Sequence, residues 1–212
     1  CLNKDNLPIK REKTQWLCKK IPFLGYILSQ DKIEVHPDKI KAIQKINQPR
    51  TVKQIESFNG TVNFCRNFVQ NVTEILQPMQ QILNDHRQDN KRFIKAELNT
   101  LIAETEKIKN VMYNSLQTKL FFPSQKTNEF ILNADASDVG VGGVLGFEEN
   151  NKFYPLAFLS RSLRKYERNY STSKKELLAI ILCVEKYKYL ITGNKLTVNT
   201  DHEPLCFEGF GN

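Results

Sequence analysis

Residues 130–143 read FILNADASDVGVGG, and no other stretch limits the fold of this chain as tightly. Apolar and polar residues alternate along it, so Phe130, Leu132 and Ala134 share one face of a strand and Asn133 and Asp135 the other. The strand ends in an acid and runs directly into small, turn-forming residues. Asp135 is therefore either a turn-starter, whose short carboxylate bonds its own backbone, or a ligand placed where a strand frays. The continuation, VGVGGVLGFEENNKFYPLAFLS, reads as two more strands joined by a polar turn at EENN. STSKKELLAIILCVEKYKYLITG then reads as a helix with a Ser/Thr entry and Gly193 at its exit, and KLTVNTD as a last strand ending in Asp201. The order β-β-β-α-β gives a mixed sheet rather than a simple alternation.

The sequence before FFPSQKT has a different grammar. TQWLCKKIPFLGYILSQDKIEVHPDKI alternates and is rich in aromatic and β-branched residues, which predicts a hairpin over about 14–35 with its turn near SQDK. His36–Pro37 ends it, because proline cannot continue the ladder. Three helices follow. PDKIKAIQKI carries Ile40, Ile43 and Ile46 on one stripe. TVKQIESFNGTVNFCRNFV opens with Thr51 and Gln54 as a capping box and buries Ile55, Phe58, Val62, Cys65 and Phe68. A shorter helix runs from Thr73 towards Leu83. A polar loop, NDHRQDNKR, leads to a long helix at about 91–114 with Ile94, Leu98, Leu101, Ile108 and Met112 on one face. No internal repeat or low-complexity tract is present.

At 212 residues, 40% hydrophobic and 25% charged, the chain has the composition of an ordinary globular protein with one large or two small domains. The apolar run Leu177 to Val184 is far too short to span a bilayer. The opening CLNKDNLPIKREK has no apolar core of a signal peptide. Five Cys without Cys-x-x-Cys spacing argue against a disulfide framework and for reduced packing residues in an intracellular protein. The net charge of +8 lies wholly in residues 1–125, which hold 20 Lys/Arg against 12 Asp/Glu, whereas residues 126–212 hold 11 of each. That asymmetry fits either a polyanion contact in the first part or a solvated basic face.

Three acids stand out by phase. Asp135 and Asp201 each end a strand on its polar face, Asp201 in line with Thr197 and Asn199. Glu176 lies in line with Ile180, Cys183 and Tyr187 on the face of a helix that packs on the sheet, where an unpaired acid is costly and needs a cation or a donor. Three carboxylates meeting at one point form an all-oxygen site suited to Mg²⁺ or Mn²⁺. Two such ions roughly 4 Å apart can activate a water and stabilise the leaving oxygen of a phosphodiester. Taken singly, each acid has a plain structural explanation: a turn cap, a first-turn charge favoured by the helix dipole, a loop start. The glycines at 140, 142, 143 and 146 do not fit a dinucleotide-binding loop, and no helix follows them; they suit close approach of a backbone or a neighbouring strand. The three His (36, 86, 202) and the five Cys show no metal-binding spacing.

NADASDVGVGGVL, PLAFLSRSLRKYERNYSTSKKELLAI and TDHEPL resemble, in order and spacing, the ribonuclease H domain of gypsy-type long-terminal-repeat retrotransposon reverse transcriptases. IPFLGYILSQDKIEVHPDKIKAI and PRTVKQIESFNGTVNFCRNFV resemble the stretch joining palm to thumb in the same polyproteins. The resemblance covers about residues 13 to 205. It implies an α/β fold of the α+β kind: a helical thumb region with a β-hairpin, followed by a mixed-sheet ribonuclease H-like domain that is incomplete at its C-terminal end. The expected divisions are 1–35 (end of palm and primer-grip-like hairpin), 36–90 (thumb-like helices), 91–125 (connecting helix and linker) and 126–212 (ribonuclease H-like). Asp135, Glu176 and Asp201 match the family's acids and are the expected catalytic and metal-binding residues, with Mg²⁺ or Mn²⁺ as cofactor. Lys19, Lys20, Lys53, Arg66 and Arg92 are the expected contacts to an RNA–DNA hybrid or duplex, bound mainly through phosphates. The expected setting is a cytoplasmic particle or the nucleus, with the rest of the polyprotein as partner and no membrane. Tyr-x-Asp-Asp and any Asp-Asp pair are absent, so no polymerase activity is expected of this sequence. The family's fourth acid has no counterpart here, which implies weak metal binding and slow or no cleavage; a non-catalytic binding module, domesticated or decayed, is the alternative. Lys174–Lys175, where the family usually has Glu-Lys, reads as a surface change.

Overall fold

The computed structural model describes residues 14–87, 93–124 and 127–205. Two hydrophobic cores organise them. The first is built on an antiparallel meander, β1 (Lys20–Phe23), β2 (Tyr26–Ser29) and β3 (Lys32–Val35), to which β4 (Leu120–Phe121) is added beside β3. The expected turn at Ser29–Lys32 is present, but a second turn at Leu24–Gly25 makes three strands where the sequence reading has a single hairpin. Both residues of that turn have positive φ, 48° and 87°, the left-handed geometry of a two-residue hairpin loop. Leucine is a poor signal for that geometry, so the turn is easily missed.

Val35 leads through His36 into α1 (Pro37–Lys45). His36 Nδ1 accepts from the Asp38 amide and Pro37 occupies the first turn, where its missing N–H is harmless. In α2 (Val52–Phe64) the Thr51 hydroxyl accepts from the Gln54 amide, while Gln54 Oε1 accepts from the Arg50 amide rather than from that of Thr51. α3 (Val72–Arg87) is longer than expected and contains Pro78. An internal proline costs a helix about 3 kcal/mol, but Val72, Leu76, Met79 and Leu83 all bury their side chains in the first core and hold the helix together. α4 (Lys95–Ser115) adds Leu101, Ile108 and Met112 to the same core. Ile94, expected on its buried face, is instead the exposed residue before the helix, its amide donating to Glu97. Glu97 also meets His86 at 2.9 Å, tying α3 to α4 and holding its carboxyl below the usual range.

The second core is a sheet in the order β7-β6-β5-β8: β5 (Glu129–Ala136), β6 (Gly140–Glu149), β7 (Lys152–Ser162) and β8 (Lys195–Asn199). The first three are antiparallel, and β8 pairs parallel to β5 after the crossover helix α5 (Thr172–Ile191). Asn150 and Asn151, both with positive φ, form the turn expected at EENN. α5 lays Ala179, Cys183 and Tyr187 on Phe130, Leu132 and Ala134, as the strand phase predicts. Cβ at Gly143 would lie 2.5 Å from Cys183 Sγ, so this helix rests directly on backbone. The outer stripe of α5, Leu177 and Ile181, is solvent-exposed, and so is Val198 of β8.

The sheet's other face receives the helical unit. Arg66 Nη2 donates to the Ser160 carbonyl, the Thr73 amide donates to Ser160 Oγ at 3.0 Å, and Ser160 Oγ donates to Thr73 Oγ1 at 2.9 Å. Cβ at Gly142 would stand 2.7 Å from Asn71 Oδ1. The glycine run thus admits two neighbours, α5 on one face and the start of α3 on the other. Cys65 and Cys183 are buried, and burial pushes both thiols up to about 11, which suits packing; Cys18 is exposed, unlike the expectation, and Cys1 and Cys206 lie outside the described residues. No described helix is long and apolar enough to cross a membrane.

Candidate metal centre

Asp135 stands near the end of β5 on the face away from α5, paired with Gly142 across the ladder. Asp201 follows β8 by two residues, and Glu176 sits in the second turn of α5. Since β5 and β8 run parallel and adjacent, their ends lie side by side, and the right place in the crossover helix brings Glu176 over both. One carboxylate oxygen from each of the three lies within 4.8 Å of the others. Asp135 and Asp201 are exposed, whereas Glu176 is 4% exposed.

Glu176 is the buried member of the three. Its Oε1 accepts from the Ala136 amide at 3.2 Å, and its Oε2 is buried with no hydrogen-bond partner among the described residues. Burial pushes its carboxyl above the usual range, and the neighbouring charges of Asp135 and Asp201 push the same way; the Ala136 amide opposes them. A buried carboxylate with one oxygen lacking a donor, close to two more carboxylates, is an arrangement that could hold a cation.

Side chains around the centre fix its parts. Asn199 Nδ2 donates to Asn133 Oδ1 at 2.9 Å, joining β8 to β5 just before the acids. His202 Nε2 meets Ser173 Oγ at 2.7 Å, so the residue after Asp201 is fastened to the first turn of the helix bearing Glu176. The change from Glu-Lys falls on Lys174, which is exposed, as a surface change requires; Lys175, the lysine that the pattern keeps, is buried and its Nζ bonds Asp138 at 2.7 Å, holding that carboxyl below its ordinary range. Its aliphatic stem covers apolar surface while its head reaches the rim, which explains a lysine at a buried helical position. Further along, buried Glu167 takes two hydrogen bonds from Arg161, at 2.9 and 3.1 Å, and one from the Arg164 amide.

The expected nucleic-acid contacts that the structure describes are dispersed. Lys19 and Lys20 are exposed beside and within β1, and Lys53 is exposed in the first turn of α2. Arg66 is turned inward onto Ser160, and Arg92 lies outside the described residues.

Comparison with known proteins follows the same lines. Residues 125–208 match the family described as the RNase H-like domain found in reverse transcriptase. The chain is 33% identical over 97% of its length to the Retrovirus-related Pol polyprotein from transposon opus of Drosophila melanogaster, and 30% identical over 98% to that from transposon gypsy of the same species. It spans about a fifth of the length of these relatives, 21% and 20%. Among solved structures, the foamy viral protease-reverse transcriptase in complex with RNA/DNA hybrid superposes with a TM-score of 0.67, at 23% identity, over 88% of this chain and 24% of that one. The fold, the acid geometry and these likenesses together identify residues 125–208 as an RNase H-like domain of retroelement reverse transcriptase, within a chain homologous over most of its length to gypsy-type Pol polyproteins.

Proposed function

We propose that this chain grips an RNA–DNA hybrid with its helical unit and hydrolyses the RNA strand at Asp135, Glu176 and Asp201, which hold divalent magnesium or manganese. The observation that carries this reading is the buried carboxylate of Glu176, whose Oε2 has no hydrogen-bond partner among the described residues and which has one oxygen within 4.8 Å of an oxygen of each of two other carboxylates. A divalent cation there supplies Lewis-acid polarisation of a phosphodiester and a nucleophilic water at neutral pH. Glu176 provides the fixed ligand, held by the Ala136 amide and by α5. Asp135 and Asp201, exposed at strand ends, complete the set from the solvent side, where a backbone phosphate arrives. The first part of the chain supplies the positive field, with Lys19, Lys20 and Lys53 as phosphate contacts. The foamy viral protease-reverse transcriptase, solved in complex with an RNA/DNA hybrid, supports the choice of substrate.

Asp135→Asn tests the reading. Mg²⁺-dependent cleavage of the RNA strand of a labelled hybrid should be lost while hybrid binding is kept. Binding without cleavage in either form would replace the enzyme with a non-catalytic binding module. Affinity should also fall steeply with salt and vary little with sequence, because phosphate contacts release counterions and read no bases.

A further inference from the structure

We propose a second nucleic-acid contact in the cleft between α3 and the end of β7, where a phosphodiester strand lies against Arg66, Arg161 and Arg168. This inference rests on the reading that the chain binds nucleic acid, but none of these residues belongs to the acid centre. The cleft has a volume of about 460 Å³ and is bounded on one side by the polar face of α3, including Gln77 and Gln81. Its other wall is Arg161, Ser162 and Arg168. No carboxylate lines it among the described residues.

The charges are unevenly balanced. Arg161 is neutralised by Glu167, yet its Nε–H is buried and has no partner among the described residues. Arg66 gives one Nη2 bond to a neutral carbonyl, so its charge is not cancelled by that contact. Arg168 is exposed at the cleft mouth in the 3-10 turn Glu167–Asn169. Two uncancelled positive charges and neutral amides facing them match an anion that also offers sugar oxygens. A phosphodiester backbone is such an anion, and guanidinium forks suit its oxygens. Thr73 lines both this cleft and the small recess that contains Asp135, so a strand in the cleft passes close to the acids. The seam thereby aligns a strand held by the helical unit with the acid centre.

The test is fluorescence anisotropy of a labelled RNA–DNA hybrid with the full chain in EDTA, so that cleavage plays no part. Arg168→Gln should weaken binding roughly 5- to 10-fold near physiological salt and reduce the slope of log affinity against log salt by about 1. Gln81→Glu, which places a carboxylate on the opposite wall, should weaken it at least as much. Lys152→Gln, at the far end of β7 some 30 Å along the strand, should leave binding unchanged. Loss of binding confined to the two cleft variants supports the contact. Wild-type affinity in both cleft variants, or equal weakening by Lys152→Gln, overturns it while leaving the acid centre untouched. Absence of hybrid binding by the wild-type chain overturns both readings together.

Discussion

Replacing Glu176 by Gln should make this protein more stable when no divalent cation is present, and only at neutral pH. Glutamine keeps an acceptor for the Ala136 amide and puts a donor in place of the orphaned Oε2, on a side chain close to the carboxylates of Asp135 and Asp201. A buried polar atom without a partner costs about 1–3 kcal/mol. Two like charges 4.8 Å apart repel by about 3 kcal/mol at an effective dielectric near 20, reduced further by the exposure of both aspartates. A net gain of about 1–3 kcal/mol is therefore expected, and each kcal/mol raises the melting temperature of a chain of this size by about 2–4 °C. The sign with pH follows from the raised carboxyl. The folded state holds the Glu176 proton more tightly than the unfolded state. Wild-type stability from this group is thus complete below the ordinary glutamate value of 4.5 and is lost as pH rises through the raised one. Melting curves in EDTA should coincide for wild type and Glu176→Gln near pH 4 and separate on the way to pH 7.5, with the variant higher. Adding Mn²⁺ should raise the wild-type curve by mass action and leave the variant nearly unmoved. A variant no more stable than wild type at pH 7.5 in EDTA, or a gap that does not change with pH, would refute the argument that Glu176 is an ionised ligand awaiting a cation.

Other outcomes follow from the packing. Glu167→Ala should destabilise the chain by about 2–3 kcal/mol, because it leaves the Arg161 guanidinium and the Arg164 amide without their acceptor. Since Arg161 holds the Glu167 carboxyl below its usual range, the stability it contributes is present above pH 4.5 and is lost as acid approaches the lowered value, which acid titration of wild type and variant by circular dichroism would show. Gly143→Ala should cost about 1–3 kcal/mol by pushing against Cys183, and Cys183→Ala in the same chain should return part of it in denaturant melts. Ser160→Ala removes both hydrogen bonds to Thr73, so the Thr73 amide should exchange its hydrogen faster, with a loss of about 1–2 kcal/mol at the seam.

Periodicity alone determined a good part of this molecule. Alternation placed Asn133 and Asp135 opposite Leu132 and Ala134, and helical spacing placed Glu176 in line with Cys183 and Tyr187; the cores follow both phases. Such patterns are local, because a side chain's face depends only on its position in its own element. Thr51 as a helix cap and the EENN turn are legible for the same reason. Whether three acids on three elements meet is not local. It depends on β8 pairing parallel beside β5 and on how far α5 slides along the sheet, and only the packed fold sets the 4.8 Å separation. Lys175 shows the limit from the other side: helical spacing puts it in line with Ala179 and Cys183, but its ion pair with Asp138, 37 residues away, appears only in the packed fold. Arg66 reads as a freely exposed cation, and only the packed fold shows its Nη2 donating to the carbonyl of Ser160, 94 residues on. Contacts of that sequence separation are created by the meeting of two cores, and no window of sequence contains them both.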